Sequence, residues 1–225
     1  HEPHQFGSRR VRKEFAVPYS KLHLAWRLPC SAHPDTPALS ALSSILGGGR
    51  SARFYEKFHD RLGLVYSIEV HSNQSETDEG AFTISMDVDR AQRDKVRDLV
   101  LQELRNLAEE DFTEDLKRVC KQTRVSRLRR RSSASGVASE MGADWFGSRN
   151  LNLSSEWQEA IERVTTEDLH RVCSTWLSSP NVTEVSLDPP GSNAGDEERA
   201  SASAGTALSE HVLGNGMKVV IREDH

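Results

Sequence analysis

Cysteine and long apolar runs are scarce in this chain, and each shortage excludes a class of protein. Only three cysteines occur among 225 residues, far apart and in no C-x-x-C pair. Neither a disulfide framework nor a thiolate zinc site is therefore indicated. No apolar run approaches the roughly 20 residues that a membrane span requires, and the polar, basic N-terminus lacks the apolar core of a signal peptide. We predict no membrane partner, and the compartment stays open.

The remaining composition is that of an ordinary soluble domain. The chain has 36% hydrophobic residues, 28% charged residues and a formal net charge of −5, and its length suffices for one sizeable domain with appendages. An arginine-rich stretch at residues 124–131 could contact the phosphates of nucleic acid. Because the net charge is acidic and no aromatic residues interleave with these arginines, a solvated helix face is favoured and no nucleic-acid partner is predicted.

Hydrophobic periodicity indicates both strands and helices. Period-2 alternation predicts four strands, at residues 21–28, 65–70, 81–88 and 182–187. Helical spacing predicts one helix on each side of Gly47–Gly49 and several more between residues 96 and 177. Two adjacent strands followed by consecutive helices favour an α+β fold over alternating β-α-β units. We predict a two-layer domain, with an antiparallel or mixed sheet packed on one side by several helices.

Composition also divides the chain into four segments. Residues 1–13 are interpreted as a linker from an upstream domain, and residues 14–188 as the folded domain. Residues 189–208 are rich in Pro, Gly, Ser, Ala and acidic residues and are predicted to be a flexible linker. Asn-Gly between apolar runs predicts a hairpin in residues 209–225, which we interpret as the truncated first hairpin of a following domain.

Two motifs resemble the non-catalytic domains of the pitrilysin/insulinase family of zinc metallopeptidases. Residues 46–54 read L-G-G-G-R-S-A-R-F and residues 63–67 read G-L-V-Y-S, similar to the family's L-G-G-G-x-S-S-R-L and G-L-A-Y-S. Residues 159–169 and 215–225 resemble its I-x-x-V-T-x-E-D-V segment and the N-G-L-x-V-V-x-x-E-D-x opening of a catalytic-type domain. The motif residues expected to be structural are Gly47, Gly48, Gly49, Ser51, Arg53 and Gly63.

The resemblance implies paired α+β domains that form two halves around an unfolded peptide, with residues 189–208 connecting the halves. The catalytic domain of the family carries H-x-x-E-H, whose histidines bind Zn²⁺ and whose Glu activates the metal-bound water. None of the nine histidines here begins that motif, and Pro3 between His1 and His4 breaks the helix that such a site needs. We expect no catalytic residue and no metal ligand in this chain, and Zn²⁺ in the catalytic domain of the parent protein.

Tyr66 and His59 are the candidate substrate-binding residues. In active family members the Tyr of G-L-A-Y works with an Arg seven residues earlier to hold the substrate carbonyl. Tyr66 fits the Tyr position, whereas His59 stands where the Arg would be and lacks its charged guanidinium. The alternative is that Tyr66 is a structural residue with a buried ring.

The glycine triplet also has two interpretations. Gly47–Ser51 before a helix could cradle a phosphate, but the segment lacks the Lys-Ser/Thr ending of a P-loop. A break between two helices that requires close backbone packing is favoured.

These features predict a non-catalytic domain of a zinc metalloendopeptidase. The domain would support the catalytic domain of the same polypeptide and form part of the peptide-binding chamber. Its expected partners are that catalytic domain, a second homologous half and an unfolded peptide. The alternative is a catalytically inactive scaffold subunit of the same family.

Overall fold

The larger sheet has five strands, and its central strand alternates buried apolar side chains with more exposed ones. The strands are β1 (Arg9–Glu14), β2 (Ser20–Leu28), β3 (Val65–Asn73), β4 (Gly80–Val88) and β5 (Thr183–Asp188). They lie in the order β1-β5-β2-β4-β3, and all pairs are antiparallel except β1 with β5. The central strand β2 buries four apolar side chains on one face: Leu22, Leu24, Trp26 and Leu28.

The computed structural model describes residues 7–74, 79–177, 181–190, 208–212 and 218–222. It contains two units, His1–Pro189 with the five-stranded sheet and Pro190–His225. In the second unit β6 (Leu208–Val212) pairs antiparallel with β7 (Lys218–Arg222), as a hairpin requires. The Asn-Gly turn and residues 191–207 of the predicted linker lie outside the described residues. That this pair opens a following domain stays a prediction.

Helices pack on one face of the sheet and enclose the core. The α-helices are α1 (Thr36–Gly47), α2 (Arg93–Asn106), α3 (Thr113–Arg130), α4 (Ala134–Ser148), α5 (Leu153–Glu162) and α6 (Thr166–Val172). Two π-helical segments are Tyr55–Arg61 and Cys173–Leu177. This mixed sheet with several helices confirms the predicted α+β fold. No helix in the described part of the chain is both long and apolar enough to cross a membrane.

The N-terminal strand β1 is where the structure corrects the predicted organisation. Sequence reasoning assigns residues 1–13 to a linker, yet Arg9–Glu14 form a strand with six residue pairs to β5. This edge strand has no apolar alternation, so hydrophobic periodicity cannot detect it. It is held by its backbone ladder and by ion pairs: Arg10 to Glu184 at 2.8 Å and Arg12 to Asp94 at 2.8 Å.

A buried ion pair joins α2 to the sheet. The carboxylate of Asp188, at the end of β5, is fully buried. It accepts a hydrogen bond from Ser20 Oγ at 2.5 Å and another from the Arg93 guanidinium. Arg93 itself is only 5% exposed. Removing one partner of such a pair leaves the other charged and buried, which costs more than the pair contributes. The pair therefore connects α2 to β5 and, through Ser20, to β2.

We predict that Asp188→Asn lowers the free energy of unfolding by about 3–5 kcal/mol, because Arg93 then loses its buried counter-charge and keeps its ion pair with the more exposed Asp94, at 3.2 Å. Urea denaturation measures this change. The matched control is Asp98→Asn on the same helix, whose side chain is 65% exposed and whose loss should change stability by no more than about 0.5 kcal/mol. Equal stability of the two variants would contradict the role assigned to the pair.

Candidate functional site

The glycine triplet ends α1 against the edge strand β3. A Cβ atom added to Gly47 would lie 2.6 Å from both the Cβ and the backbone nitrogen of Val70. Only glycine allows the helix end to approach the strand so closely. Gly49 has a φ of 102°, in the left-handed region that favours glycine. Gly63, with a φ of 59°, lies between the π-helical segment and β3. The triplet thus serves a packing role.

The backbone of the triplet is not arranged to hold a phosphate. The amide of Gly48 donates to the Ser44 carbonyl at 2.9 Å, and the amide of Gly49 donates to the Gly47 carbonyl at 2.8 Å. A phosphate cradle needs such amides to point at the ligand. The geometry therefore favours the helix-break interpretation.

Arg53 fastens the motif to the beginning of α3. Its Nε donates to Asp115 Oδ2 at 2.7 Å and its Nη2 donates to the Asp111 carbonyl at 2.6 Å. Its guanidinium carbon lies 4.6 Å from the centre of the Phe112 ring, a cation–π distance. The Ser51 carbonyl accepts a further hydrogen bond from an arginine of α3. Arg53 and Ser51 of the glycine motif therefore both contact α3 or the residues just before it.

Tyr66 lies in a β-bulge at the end of the sheet where β2 and β3 begin and β4 ends. The register shifts between Val65 and Ser67, so that Tyr66 is the extra residue of β3. Its ring packs on that of Tyr19 with 4.1 Å between centroids, and its hydroxyl donates to Asp89 Oδ2 at 3.3 Å. We call Tyr19 and Tyr66 the tyrosine pair. Tyr66 is 50% exposed, so its ring is not buried, and its contact with substrate stays a prediction.

His59 lies on the π-helical segment before β3. Its Nδ1 is 2.7 Å from Asp60 Oδ1, and its ring stacks on Tyr55 with 4.4 Å between centroids. Within the described residues the partners of His59 and of Tyr66 differ, and no hydrogen bond joins the two candidates. The structure therefore places them on adjacent elements without a shared contact.

The groups at this end of the sheet can bind a ligand by hydrogen bonds and ring contacts. Loss of solvent around the hydroxyl, the charge of Asp89 and the hydrogen bond to Asp89 raise the pKa of Tyr66 above its ordinary value. The phenol thus stays protonated as a donor at neutral pH. Across the described ranges no three His, Cys, Asp or Glu side chains come together as metal ligands, so this part of the chain does not fit a zinc centre.

Sequence reasoning does not find Tyr19 or Asp89. Each lies just outside a predicted strand, one before residues 21–28 and the other after residues 81–88. The two strands pair antiparallel with Ser20 opposite Val88, which brings their flanking residues together. Their proximity can be inferred only once the pairing of β2 with β4 is known.

Comparison with known proteins decides the family. The family model described as the peptidase M16 inactive domain matches residues 1–122. This chain belongs to the peptidase M16 inactive domain family. The resemblance of its motifs to the pitrilysin/insulinase metallopeptidases is thereby confirmed.

Relatives of this M16 inactive domain are longer proteins of the same fold. It is 23% identical to the "Zinc protease PqqE" of Helicobacter pylori over 194 residues, which cover 84% of this chain and 43% of that protein. A solved protease from Helicobacter pylori has a TM-score of 0.73 at 24% identity, covering 83% of this chain and 46% of the other. A peptidase M16 inactive domain from Pseudomonas fluorescens has a TM-score of 0.71 at 21% identity, covering 84% and 45%. The chain thus spans less than half the length of these relatives.

We predict that Gly47→Ala lowers the free energy of unfolding by about 1–3 kcal/mol, because the new methyl group has no room against Val70. Helix propensity alone would favour alanine by up to about 1 kcal/mol, so the sign tests the contact. Gly142→Ala in α4 is the matched control, since nothing lies within 4 Å of its added Cβ, and it should raise stability. Thermal unfolding of both variants measures the difference; stabilisation by Gly47→Ala would contradict the close approach.

A second prediction concerns the raised pKa of Tyr66. Asp89→Asn removes the negative charge beside the hydroxyl and should lower the pKa of Tyr66 towards its ordinary value. Titration of tyrosinate absorbance measures this, with Tyr66→Phe to assign the signal among the three tyrosines. Tyr55→Phe should leave the shifted titration in place. An unchanged pKa in Asp89→Asn would show that Asp89 does not act on Tyr66.

Proposed function

We propose that this chain is the non-catalytic domain of a zinc metalloendopeptidase, which supports the catalytic domain and forms part of a peptide-binding chamber. The observation that carries the proposal is the match to an inactive M16 domain. It is supported by a relative named as a zinc protease that is more than twice as long as the matched region. Zn²⁺ and the residues that bind it would belong to the catalytic domain of the parent.

A surface for that partner domain is offered by α4. This helix buries one side chain, Asp144, among fifteen residues, although helices in proteins gain most stability from burying an apolar face. It is held by polar contacts: Asp144 accepts hydrogen bonds from the Ser154 amide at 3.0 Å and the Ser154 hydroxyl at 2.6 Å. Exposed apolar residues lie on α4 and in the segment that follows it. We call these five residues the α4 patch: Met141, Trp145, Phe146, Leu151 and Leu153.

The α4 patch has the properties of an interface. Phe146 is 86% exposed and Trp145 is 49% exposed, and aromatic side chains are enriched at protein interfaces. Since the relatives contain as much chain again as this domain, we propose that another domain of the parent packs on the patch. The tyrosine pair is the part of the molecule that we assign to the peptide, because its two partly exposed rings can pack against peptide side chains.

The second candidate function is an inactive scaffold subunit of the same family. His59 favours it, because an imidazole held by Asp60 and Tyr55 lacks the paired donors of the guanidinium expected there. The two functions differ in the parent protein. A parent with H-x-x-E-H, bound zinc and peptide turnover is a peptidase, whereas a parent without all three is a scaffold.

We predict that Trp145→Ser with Phe146→Ser, introduced into the full-length parent, lowers peptide turnover by roughly tenfold or more, since aromatic hot spots contribute about 2 kcal/mol or more. Zinc content, measured by atomic absorption, should not change, because the metal lies in another domain. Leu62→Ser is the matched control: Leu62 is 48% exposed and outside the α4 patch. Full turnover in the double variant would count against the patch as the domain interface.

A further inference from the structure

The tyrosine pair and Asp89 are brought together by the sheet itself. Ser20 of β2 and Val65 of β3 both pair with Val88 of β4. Tyr19 directly precedes Ser20, whereas Tyr66 and Asp89 directly follow Val65 and Val88. The bulge at Tyr66 adds a residue to β3 at this point. Bulges of this kind re-aim side chains and are frequent beside functional sites. The three residues are thus brought together by the register of the strands that they belong to or directly flank.

Both tyrosines of the pair are partly exposed to solvent. Tyr19 is 42% exposed and Tyr66 is 50% exposed, and their planes are inclined by 35°. The face of an aromatic ring carries partial negative charge and attracts cations within about 6 Å. Two adjacent rings therefore form an open aromatic surface suited to a cation as well as to apolar groups.

Asp89 gives this surface its charge preference. Its Oδ2 accepts the hydrogen bond of Tyr66, while in the described part of the chain Oδ1 accepts none and the carboxylate is in no ion pair. The neighbouring Asp87, in contrast, is paired with Lys21 at 2.9 Å. Arg90, the next residue after Asp89, makes no ion pair with it among the described residues. An unneutralised carboxylate beside two rings attracts cations and repels anions.

We propose that Tyr19, Tyr66 and Asp89 form a subsite for a cationic side chain, lysine or arginine, of the bound peptide. The inference rests on the proposed function, since it names the side-chain class that this domain selects. The rings would hold the aliphatic stem and the cation by cation–π contact, and Asp89 Oδ1 would accept a hydrogen bond from the ammonium or guanidinium. A glutamate at the same peptide position would be disfavoured by the charge of Asp89.

The test compares three unstructured peptides that differ at one position, which is lysine, norleucine or glutamate. Binding to the full 225-residue chain is measured by NMR titration of the tyrosine ring signals. We expect the lysine peptide to bind about 5- to 30-fold more tightly than the norleucine peptide, which corresponds to the range of a partly desolvated cation–π contact with a carboxylate. The glutamate peptide should bind most weakly.

Variants separate the rings from the charge. Asp89→Asn should reduce the lysine preference to about twofold or less, and Tyr19→Leu should do the same, whereas Tyr19→Phe keeps the ring and should retain the preference. Glu114→Gln is the charge-matched control, since its side chain is 84% exposed on α3. This variant should bind the peptides like the unaltered chain. Circular dichroism of each variant verifies that it is folded.

Three outcomes overturn the subsite: equal affinity for the lysine and norleucine peptides, an unchanged preference in folded Asp89→Asn, or binding of none of the peptides. None of these decides the proposed function, which is judged by zinc content and turnover of the parent with its altered α4 patch. A failure of the subsite is therefore distinguishable from a failure of the proposed function.

Discussion

The buried pair of Arg93 and Asp188 is the contact on which this end of the molecule depends. Asp188 holds Ser20 through its carboxylate, and its carbonyl accepts the amide of Phe15 at 2.9 Å. The connection between β1 and β2 is therefore anchored near both of its ends to a single residue. Tyr19 precedes Ser20 directly, so the position of the tyrosine pair follows from a buried charge that never reaches the surface. The packing of α2 and the position of the tyrosine pair are coupled through one carboxylate.

Sequence pattern predicts strands β2 to β5 and misses β1, which has no apolar alternation, but it does not tell which face of a strand is buried. The central strands β2 and β4 alternate cleanly and were found. In β5 the alternation is equally regular but its faces are reversed: Glu184, Ser186 and Asp188 are buried, while Val185 and Leu187 are only partly covered. The reversal arises because α2 packs on this part of the sheet with two arginines, Arg93 and Arg97. They pair with the buried carboxylates of Asp188 and Glu184. The sequence of β5 alone does not indicate that arginines of a distant helix will pack on it.

The candidate site divides in the same way. The glycine motif and Tyr66 could be located from the sequence, because residues 46–54 and 63–67 resemble motifs of the family. Tyr19 and Asp89 could not be located, because their meeting depends on the register between two strands some sixty residues apart in the chain. The partners of His59 are likewise set by the wider turn of a π-helical segment, which periodicity at 3.6 residues does not detect.

The parallel pairing of β1 with β5 has a mechanical consequence. The chain enters the domain at the N-terminal end of β1 and leaves it at the C-terminal end of β5, and parallel strands place these two points at opposite ends of the six-pair ladder. Tension applied through the flanking segments therefore acts along the strands, and all of their hydrogen bonds bear it at once rather than opening one after another. A pull on the segments that flank β1 and β5 would be transmitted through this edge of the sheet as shear, with the fold behaving as a stiff link.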